Sequence, residues 1–190
     1  MLTYTTSKTQ EDLQGILDLQ RNNLPDVLSS EEIKTQGFVT VRHRLEDLQK
    51  MNALEQSVIA KDGEQVVAYL IAMTEKSKAD IPQLIPMFDL FGQIHYKGKI
   101  VADFQYMVVG QVCIRKDYRG QGVLDACYAT YKSCFQHKYD FAITEIDLTN
   151  TRSGKAHQRI GFEEIHRYQA PSDGAQWSVV AWDWSDKPGE

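Results

Sequence analysis

Hydrophobic positions recur with two different periods along this chain. After Thr9, the apolar residues Leu13, Ile16 and Leu17 follow two acids at helical spacing, which predicts a capped amphipathic helix. Residues 45–54 carry the same spacing and predict another helix, and residues 29–32 predict the start of a short helix that ends near Gly37. A weak alternation over residues 2–6 predicts a first strand.

The middle of the chain has the pattern of a hairpin followed by an irregular apolar segment. Residues 56–61 and 65–74 predict two strands, with Asp62 and Gly63 as the turn between them. The second strand is continuously apolar, so we expect both of its faces to be covered. Residues 79–94 are rich in Leu, Ile, Met and Phe, and Pro86 is expected to interrupt a helix there. This segment either lines a substrate pocket or a subunit contact, or packs as a helix on the core.

Strands and helices alternate in the second half of the chain. Predicted strands cover residues 107–114, 141–148, 162–169 and 177–184, and predicted helices cover 123–138 and 153–160. This order predicts one α/β domain of the α+β type over residues 1–190, with a mixed, mostly antiparallel sheet and helices on both faces. The polar residues 185–190 are expected to form a frayed tail.

Composition and residue spacing argue against several kinds of partner and binding site. A net charge of −5 argues against a general nucleic-acid or membrane-surface partner. The three cysteines have no CxxC spacing, the histidines have no metal-ligand spacing, and the first residues carry no signal-peptide pattern. No apolar run reaches ~18 residues, the length of a membrane span. We therefore expect a cytoplasmic protein with reduced thiols and no metal.

A glycine-bearing turn stands between the strand 107–114 and the helix that begins at residue 123. Its residues are Arg119, Gly120, Gln121 and Gly122. Free N–H groups at a helix start, with glycines that let the main chain approach closely, form a cradle for phosphate. Arg115 and Lys116 make the surroundings basic. The alternative is an ordinary strand–helix turn, since short glycine motifs recur without function.

The order of elements and two motifs resemble the GNAT superfamily of acyl-CoA-dependent N-acyltransferases. Its signature, Gln/Arg-x-x-Gly-x-Gly/Ala, aligns with Arg119, Gly120, Gln121, Gly122, Val123 and Leu124. Leu124 departs from it, because the family has a small residue there. A second family pattern, an Asn, a Tyr seven residues later and then Gly-Phe, aligns with Asn150, His157 and Gly161-Phe162.

The resemblance implies an N-acetyltransferase that moves an acetyl group from acetyl-CoA to a primary amine by direct attack in a ternary complex. It implies a sheet that splays apart between its fourth and fifth strands. The pyrophosphate is then held by residues 119–124, and the pantetheine arm by Asn150 and by Val112, Cys113 and Ile114. His157 stands where the family often places a tyrosine that protonates the leaving thiolate, and an imidazolium can donate a proton near neutral pH. The alternative is that His157 is a surface or packing residue.

Several alternatives stay open. Cys113 is more typical of core packing than of a nucleophile. The general base is not singled out among Asp103, Tyr106 and Glu145. We expect a small-molecule amine as acceptor, and a homodimer is an open alternative. A non-catalytic acyl-CoA-binding sensor is the second functional hypothesis, and an ordinary nucleotide-binding protein is weaker because GxxxxGK[ST] is absent.

Overall fold

The computed structural model describes residues 1–29, 31–32, 38–39, 41–79, 81–171 and 173–185. The helices are α1 (Gln10–Arg21), α2 (Leu45–Leu54), α3 (Ile85–Phe91), α4 (Val123–Phe135) and α5 (Thr151–Ile160). The strands are β1 (Leu2–Thr6), β2 (Val58–Asp62), β3 (Gln65–Met73), β4 (His95–Tyr96), β5 (Lys99–Ile100), β6 (Tyr106–Ile114), β7 (Phe141–Asp147), β8 (Glu163–Gln169) and β9 (Gln176–Asp183).

Seven of the strands form one sheet in the order β1-β2-β3-β6-β7-β9-β8, and β4 pairs with β5. Only β6 and β7 pair in parallel; the other neighbouring strands described are antiparallel. Alternate residues of β3 supply two separate cores. Tyr69 and Ile71 pack with α1, α2 and α3, and Ala68 and Leu70 pack with α4 on the opposite face. The predicted α/β class, with helices on both faces, is confirmed.

The sheet splays apart between its fourth and fifth strands, β6 and β7, as expected. Their ladder spans only Tyr106–Val108 against Phe141–Ile143. The hydroxyl of Thr144 then donates to the carbonyl of Val109 at 2.8 Å, and beyond this contact β6 and β7 have no further ladder pair. The rest of β6 therefore keeps its main chain on this side for another partner.

Local details differ from the sequence-based expectations at two places. The β2–β3 turn consists of Gly63 and Glu64, one position later than predicted, because Asp62 still pairs with Gln65. Pro86 does not interrupt a helix, because it lies in the first turn of α3, where no N–H bond is lost. Phe88 and Phe91 of α3 are buried, so this segment packs on the core.

Some expectations fall on residues that the structure does not describe. The end of the predicted helix near Gly37 and the tail after residue 185 both lie outside the described residues. In the described part of the chain, no helix combines the length and the apolar character needed to cross a membrane. The same residues contain no group of three or more His, Cys, Asp or Glu side chains suited to a metal ion.

Candidate cofactor and catalytic site

A cavity of about 530 Å³ lies beside the end of β6, on the side where β6 has no ladder pair with β7. Its walls are that strand end, the glycine turn, the first turn of α4 and one side of α5. It contains nearly all of the predicted cofactor-binding residues and His157. The lining consists of Asn23, Phe38, Val39, Val112, Cys113, Ile114, Tyr118, Arg119, Gly120, Gly122, Val123, Leu124, Asp125, Asn150, Arg152, Ser153, Ala156, His157 and Arg159.

The glycine turn has the backbone conformation that the sequence predicted. Gly120 has φ +75° and Gly122 has φ +77°, in the left-handed region that side chains rarely adopt. Gly122 is the N-cap of α4, and none of the described side chains caps this helix start. The first N–H groups of α4 are thus left for another acceptor at the cavity wall. Gln121, a predicted binding residue, instead folds back to donate to the Asp117 carbonyl at 2.6 Å.

The cavity wall is cationic although the whole chain carries a net charge of −5. Three arginines line it, Arg119, Arg152 and Arg159, against one carboxylate, Asp125, which forms an ion pair with Arg159. Arg119 also has a structural role, because its Nε donates to the Ile114 carbonyl at 2.8 Å and Nη2 donates to Asn23 at 2.7 Å. This charge distribution suits a ligand with several phosphate groups.

Asn150 lies at the cavity and joins two of its walls. As the N-cap of α5, it accepts a hydrogen bond from the Ser153 N–H through Oδ1 at 3.3 Å. Its Nδ2 donates to the carbonyl of Phe38 at 3.2 Å. Asn150 is therefore a capping residue in the structure, and a contact with pantetheine stays a prediction.

His157 lies on the cavity wall, and its ring is surrounded by other side chains. The ring is 5% exposed, its Nδ1 lies 2.8 Å from the Ser153 carbonyl, and its Nε2 lies 2.7 Å from the Tyr128 hydroxyl. Burial lowers the pKa of His157 to about 4. The imidazole is thus neutral near pH 7 with both nitrogens engaged, which favours a packing role, and a catalytic role for His157 stays a prediction.

The three candidates for the general base lie in different surroundings. Asp103 is exposed in the short turn Val101–Asp103, and Tyr106 is buried against the rings of Phe88 and Phe91. Glu145 lies on β7, just beyond the last residues paired with β6. Burial raises the pKa of Glu145 to about 7, and the Tyr168 hydroxyl donates to it at 3.1 Å. Only Glu145 combines a place at the splay with a pKa suited to proton transfer near neutrality.

Comparison with known structures identifies the fold. An acetyltransferase of the GNAT family from Streptococcus agalactiae superimposes with a TM-score of 0.64 at 12% identity, over 96% of this chain and 95% of that chain. The chain has the GNAT fold. No protein-family model matches the sequence, and no curated protein matches it significantly.

Two further GNAT-fold structures are similar over nearly their whole length. The ribosomal-protein-S18-alanine N-acetyltransferase from Escherichia coli has 14% identity and a TM-score of 0.58, covering 100% of this chain and 97% of that chain. Arabidopsis thaliana NAA60, in complex with a bisubstrate analogue, has 13% identity and a TM-score of 0.62, covering 96% and 98%. At these identities the likeness concerns the fold.

The structure shows the surroundings of Leu124, which departs from the GNAT signature, and of Cys113, the candidate nucleophile on β6. Leu124, where the family has a small residue, lines the cavity and packs partly against the core on the α4 face. Cys113 is buried, and burial raises the pKa of its thiol to about 12. A protonated, buried thiol is a packing group near neutral pH, in agreement with the preferred alternative from the sequence.

Sequence reasoning missed a buried polar network on the other face of β6. Gln20, His43, Tyr69 and Gln111 are joined by hydrogen bonds, and Gln20 and Gln111 are buried. A signal was present, because Gln20 stands on the apolar face of α1 and Gln111 stands within an apolar strand. Polar residues at such positions need partners when they are buried.

Proposed function

We propose that this protein is an N-acetyltransferase that transfers the acetyl group of acetyl-CoA to a primary amine in a ternary complex. The observation that supports it most is the cavity, whose wall combines a strand end without a β7 partner, a left-handed glycine turn and three arginines. We also propose a cytoplasmic location, and the three free thiols are compatible with it.

The residues present fit acetyl-CoA. Its diphosphate suits the N–H groups at the start of α4, next to Gly120 and Gly122, and the arginines offset the remaining phosphate charge. Its pantetheine arm carries amides that suit the main chain of Val112, Cys113 and Ile114, as an added strand would. When bound, acetyl-CoA supplies an activated thioester that an amine can attack.

The chain contributes position, polarisation and a base. A bulge in β6 places Gly110 and Gln111 opposite a single β3 residue, Ile71, just beyond the β6–β7 ladder. Main-chain N–H groups of this bulge are suited to polarise the thioester carbonyl. Glu145 accepts a proton from the attacking ammonium, directly or through one water, and its pKa of about 7 keeps a large fraction ionised near pH 7.

The acceptor class is the finer part of the proposal. We expected a small-molecule amine. One neighbour, however, is a ribosomal-protein-S18-alanine N-acetyltransferase, and another, the NatC complex, is bound to a Gag peptide. Val41 and Leu148 are exposed apolar residues close to the splayed strands. We therefore propose a primary amine with an apolar portion, either a small molecule or a peptide amino terminus.

An acetyl-transfer assay tests the proposal. Purified protein is mixed with acetyl-CoA and a panel of small primary amines and short peptides, with thiol release followed spectroscopically and acetylated products identified by mass spectrometry. We expect acceptor-dependent thiol release and a product heavier by one acetyl group. Tight acetyl-CoA binding without transfer to any amine would contradict the proposal and favour the non-catalytic acyl-CoA-binding alternative.

A further inference from the structure

The side chain of Gln111, in the β6 bulge, has three of its four hydrogen-bonding positions engaged by described residues. Its Oε1 accepts from the Tyr69 hydroxyl at 2.6 Å and from Gln20 Nε2 at 2.8 Å. Its Nε2 donates to the main-chain carbonyl of Val41 at 2.8 Å. Gln111 is 8% exposed, so these bonds are not exchanged readily for bonds to water.

Gln20 extends the network from the bulge to the segment that precedes α2. Its Nε2 lies 2.8 Å from His43 Nδ1, and its Oε1 accepts from the His43 main-chain N–H at 2.8 Å. Because the amide nitrogen can only donate, Nδ1 of His43 accepts and the ring is neutral. Gln20 therefore holds His43, and Gln111 holds Val41.

The bulge that carries Gln111 lies close to the point where β6 and β7 separate. Leu70 pairs with Val112, but Ala72 pairs with Val109, so Gly110 and Gln111 share one partner position. A Cβ on Gly110 would come within 2.6 Å of Met73 Cε, because the bulged main chain presses against the β3 side chains. Among the described residues, the Gln111 amide ties the bulge to α1 and to residue 41.

We infer that Gln111 is a positioning residue for acetyl transfer. Its amide holds the bulge N–H groups at the thioester end of the site and anchors residues 41–43 beside them, where the acceptor amine approaches. This inference rests on the proposed function, in which the N–H groups of the bulge polarise the thioester carbonyl. Displacements of a reacting group by about 1 Å can cost ~10²-fold in rate, so a residue remote from the chemistry can control kcat.

The alternative role of Gln111 is simple stabilisation of the fold. Measuring kcat and the CoA Kd separately distinguishes this role from positioning. A positioning role acts on turnover, whereas most of the CoA-binding wall at residues 112–114 and 119–124 is separate from the network, which meets it through the contact of Tyr69 with the Cys113 thiol. A stabilising role lowers the melting temperature and leaves the folded enzyme with unchanged kcat. Asn52 offers a matched control, because its amide joins Ser7 and Ser57 at the opposite end of α2.

The experiment compares Gln111→Met and Tyr69→Phe with the control Asn52→Leu in the full chain. For Gln111→Met we expect kcat to fall by about 10- to 100-fold, with the CoA Kd within about threefold of wild type. Amide hydrogen exchange of residues 41–43 should become faster without CoA. Tyr69→Phe removes one donor only, so its kcat should fall less, and this variant still tests the inference if Gln111→Met does not fold.

The outcomes separate this inference from the proposed function. Wild-type protein that acetylates no amine overturns both, whereas an active wild type whose two network variants keep full kcat overturns only the role of Gln111. A loss of kcat in Asn52→Leu equal to that in Gln111→Met would also overturn it, because stability alone would then explain the effect. Reduced kcat in the network variants only, with CoA affinity retained, supports it.

Discussion

The hydroxyl of Tyr128 on α4 lies 2.7 Å from Nε2 of His157 on α5 and donates to it. This direction follows from the other side of the ring, where Nδ1 lies 2.8 Å from the Ser153 carbonyl, which can only accept. The ring also makes edge contacts with Tyr128 and Phe162. His157 therefore joins two helices at the cavity wall as a neutral, buried residue.

His157→Phe should reduce stability much more than chemistry. The substitution leaves the buried Tyr128 hydroxyl without its acceptor, which we expect to lower the free energy of unfolding by about 1–3 kcal/mol. The kcat of the folded enzyme should stay within about threefold, since loss of a general acid costs ~10²–10⁴-fold. Urea unfolding and steady-state kinetics on the same preparations measure the two effects.

Tyr128→Phe is the matched control for this pair. It removes the donor and leaves His157 Nε2 unpaired, so its loss of stability should be similar, and the double variant should lose less than the sum of the two. A ~100-fold fall in kcat for His157→Phe, with CoA affinity retained, would contradict the structural role and restore His157 as an acid.

Two buried histidines should weaken the fold on acidification. Burial lowers the pKa of both His43 and His157 to about 4, from about 6.5 in an unfolded chain. The unfolded state therefore binds more protons between these values, and stability is lost as the pH falls from about 6.5 to about 4. Unfolding of wild type and of His157→Phe at pH 7 and pH 5 measures this, and the variant should lose less stability than wild type.

Glu145→Gln should change stability and activity in opposite directions. Burial favours the neutral carboxyl and raises the pKa of Glu145 to about 7, against about 4.3 in an unfolded chain. The stability of the wild type therefore falls as the pH rises between these two values. The glutamine variant should match wild type near pH 4 and exceed it by on the order of 1–3 kcal/mol at pH 8. Its kcat should fall by about 10²–10⁴-fold, as expected for loss of a base.

Asp103→Asn separates Glu145 from the exposed candidate carboxylate. We expect this variant to keep wild-type kcat and the same pH–rate profile, with an inflection near pH 7 from Glu145. An unchanged kcat in Glu145→Gln, measured in the same assay, would exclude Glu145 as the base. Loss of the pH 7 inflection in Asp103→Asn would point to Asp103 instead.

The glycine turn was predictable from sequence because its requirements are local. A strand, two glycines and a helix start dictate the backbone of Gly120 and Gly122 whatever packs around them. The fold class followed from the order of periodic segments in the same way. Pro86 was misjudged because the outcome depends on whether a helix begins at Ile85 or earlier, and helix boundaries are the weakest part of sequence reasoning.

The electrostatic state of the site could not be predicted, because it depends on contacts between distant parts of the chain. His157 is neutral because it is buried, and the side chains that bury it include Tyr128, 29 residues earlier in the chain. Glu145 stood out from Asp103 only when burial became known. Gln20 and Gln111 meet across 91 positions, and no local pattern reports such a pair.

Gly122→Ala should weaken CoA binding through the conformation of the turn. A Cβ at Gly122 meets no atom within 4 Å, so the cost is the positive φ of +77°, about 1–2 kcal/mol, plus intrusion into the cavity that Gly122 lines. We expect the CoA Kd, measured by calorimetry, to rise about tenfold. Gly63→Ala is the control, because Gly63 has φ +57° with equally open surroundings in the β2–β3 turn.

The two alanine variants should therefore lose similar stability and differ in affinity. Only Gly122→Ala should bind CoA more weakly, while Gly63→Ala keeps the wild-type Kd. Equal Kd values for both variants and wild type would show that the turn at residues 119–122 holds no phosphate. That result would return this segment to an ordinary strand–helix turn.

Asp125→Asn should strengthen CoA binding. Asp125 is the carboxylate of the cavity wall, and its hydrogen bond from Arg159 lowers its pKa, so it is ionised near pH 7 and repels phosphate. Its removal also releases Arg159 from the ion pair. We expect the CoA Kd to fall about two- to fivefold at low salt, and the difference to shrink near 1 M salt as charges are screened.

Asp26→Asn, which makes the same charge change at an exposed ion pair with Arg42, should leave the Kd unchanged. Weaker CoA binding by Asp125→Asn would mean that the carboxylate positions Arg159 for the ligand instead of opposing it.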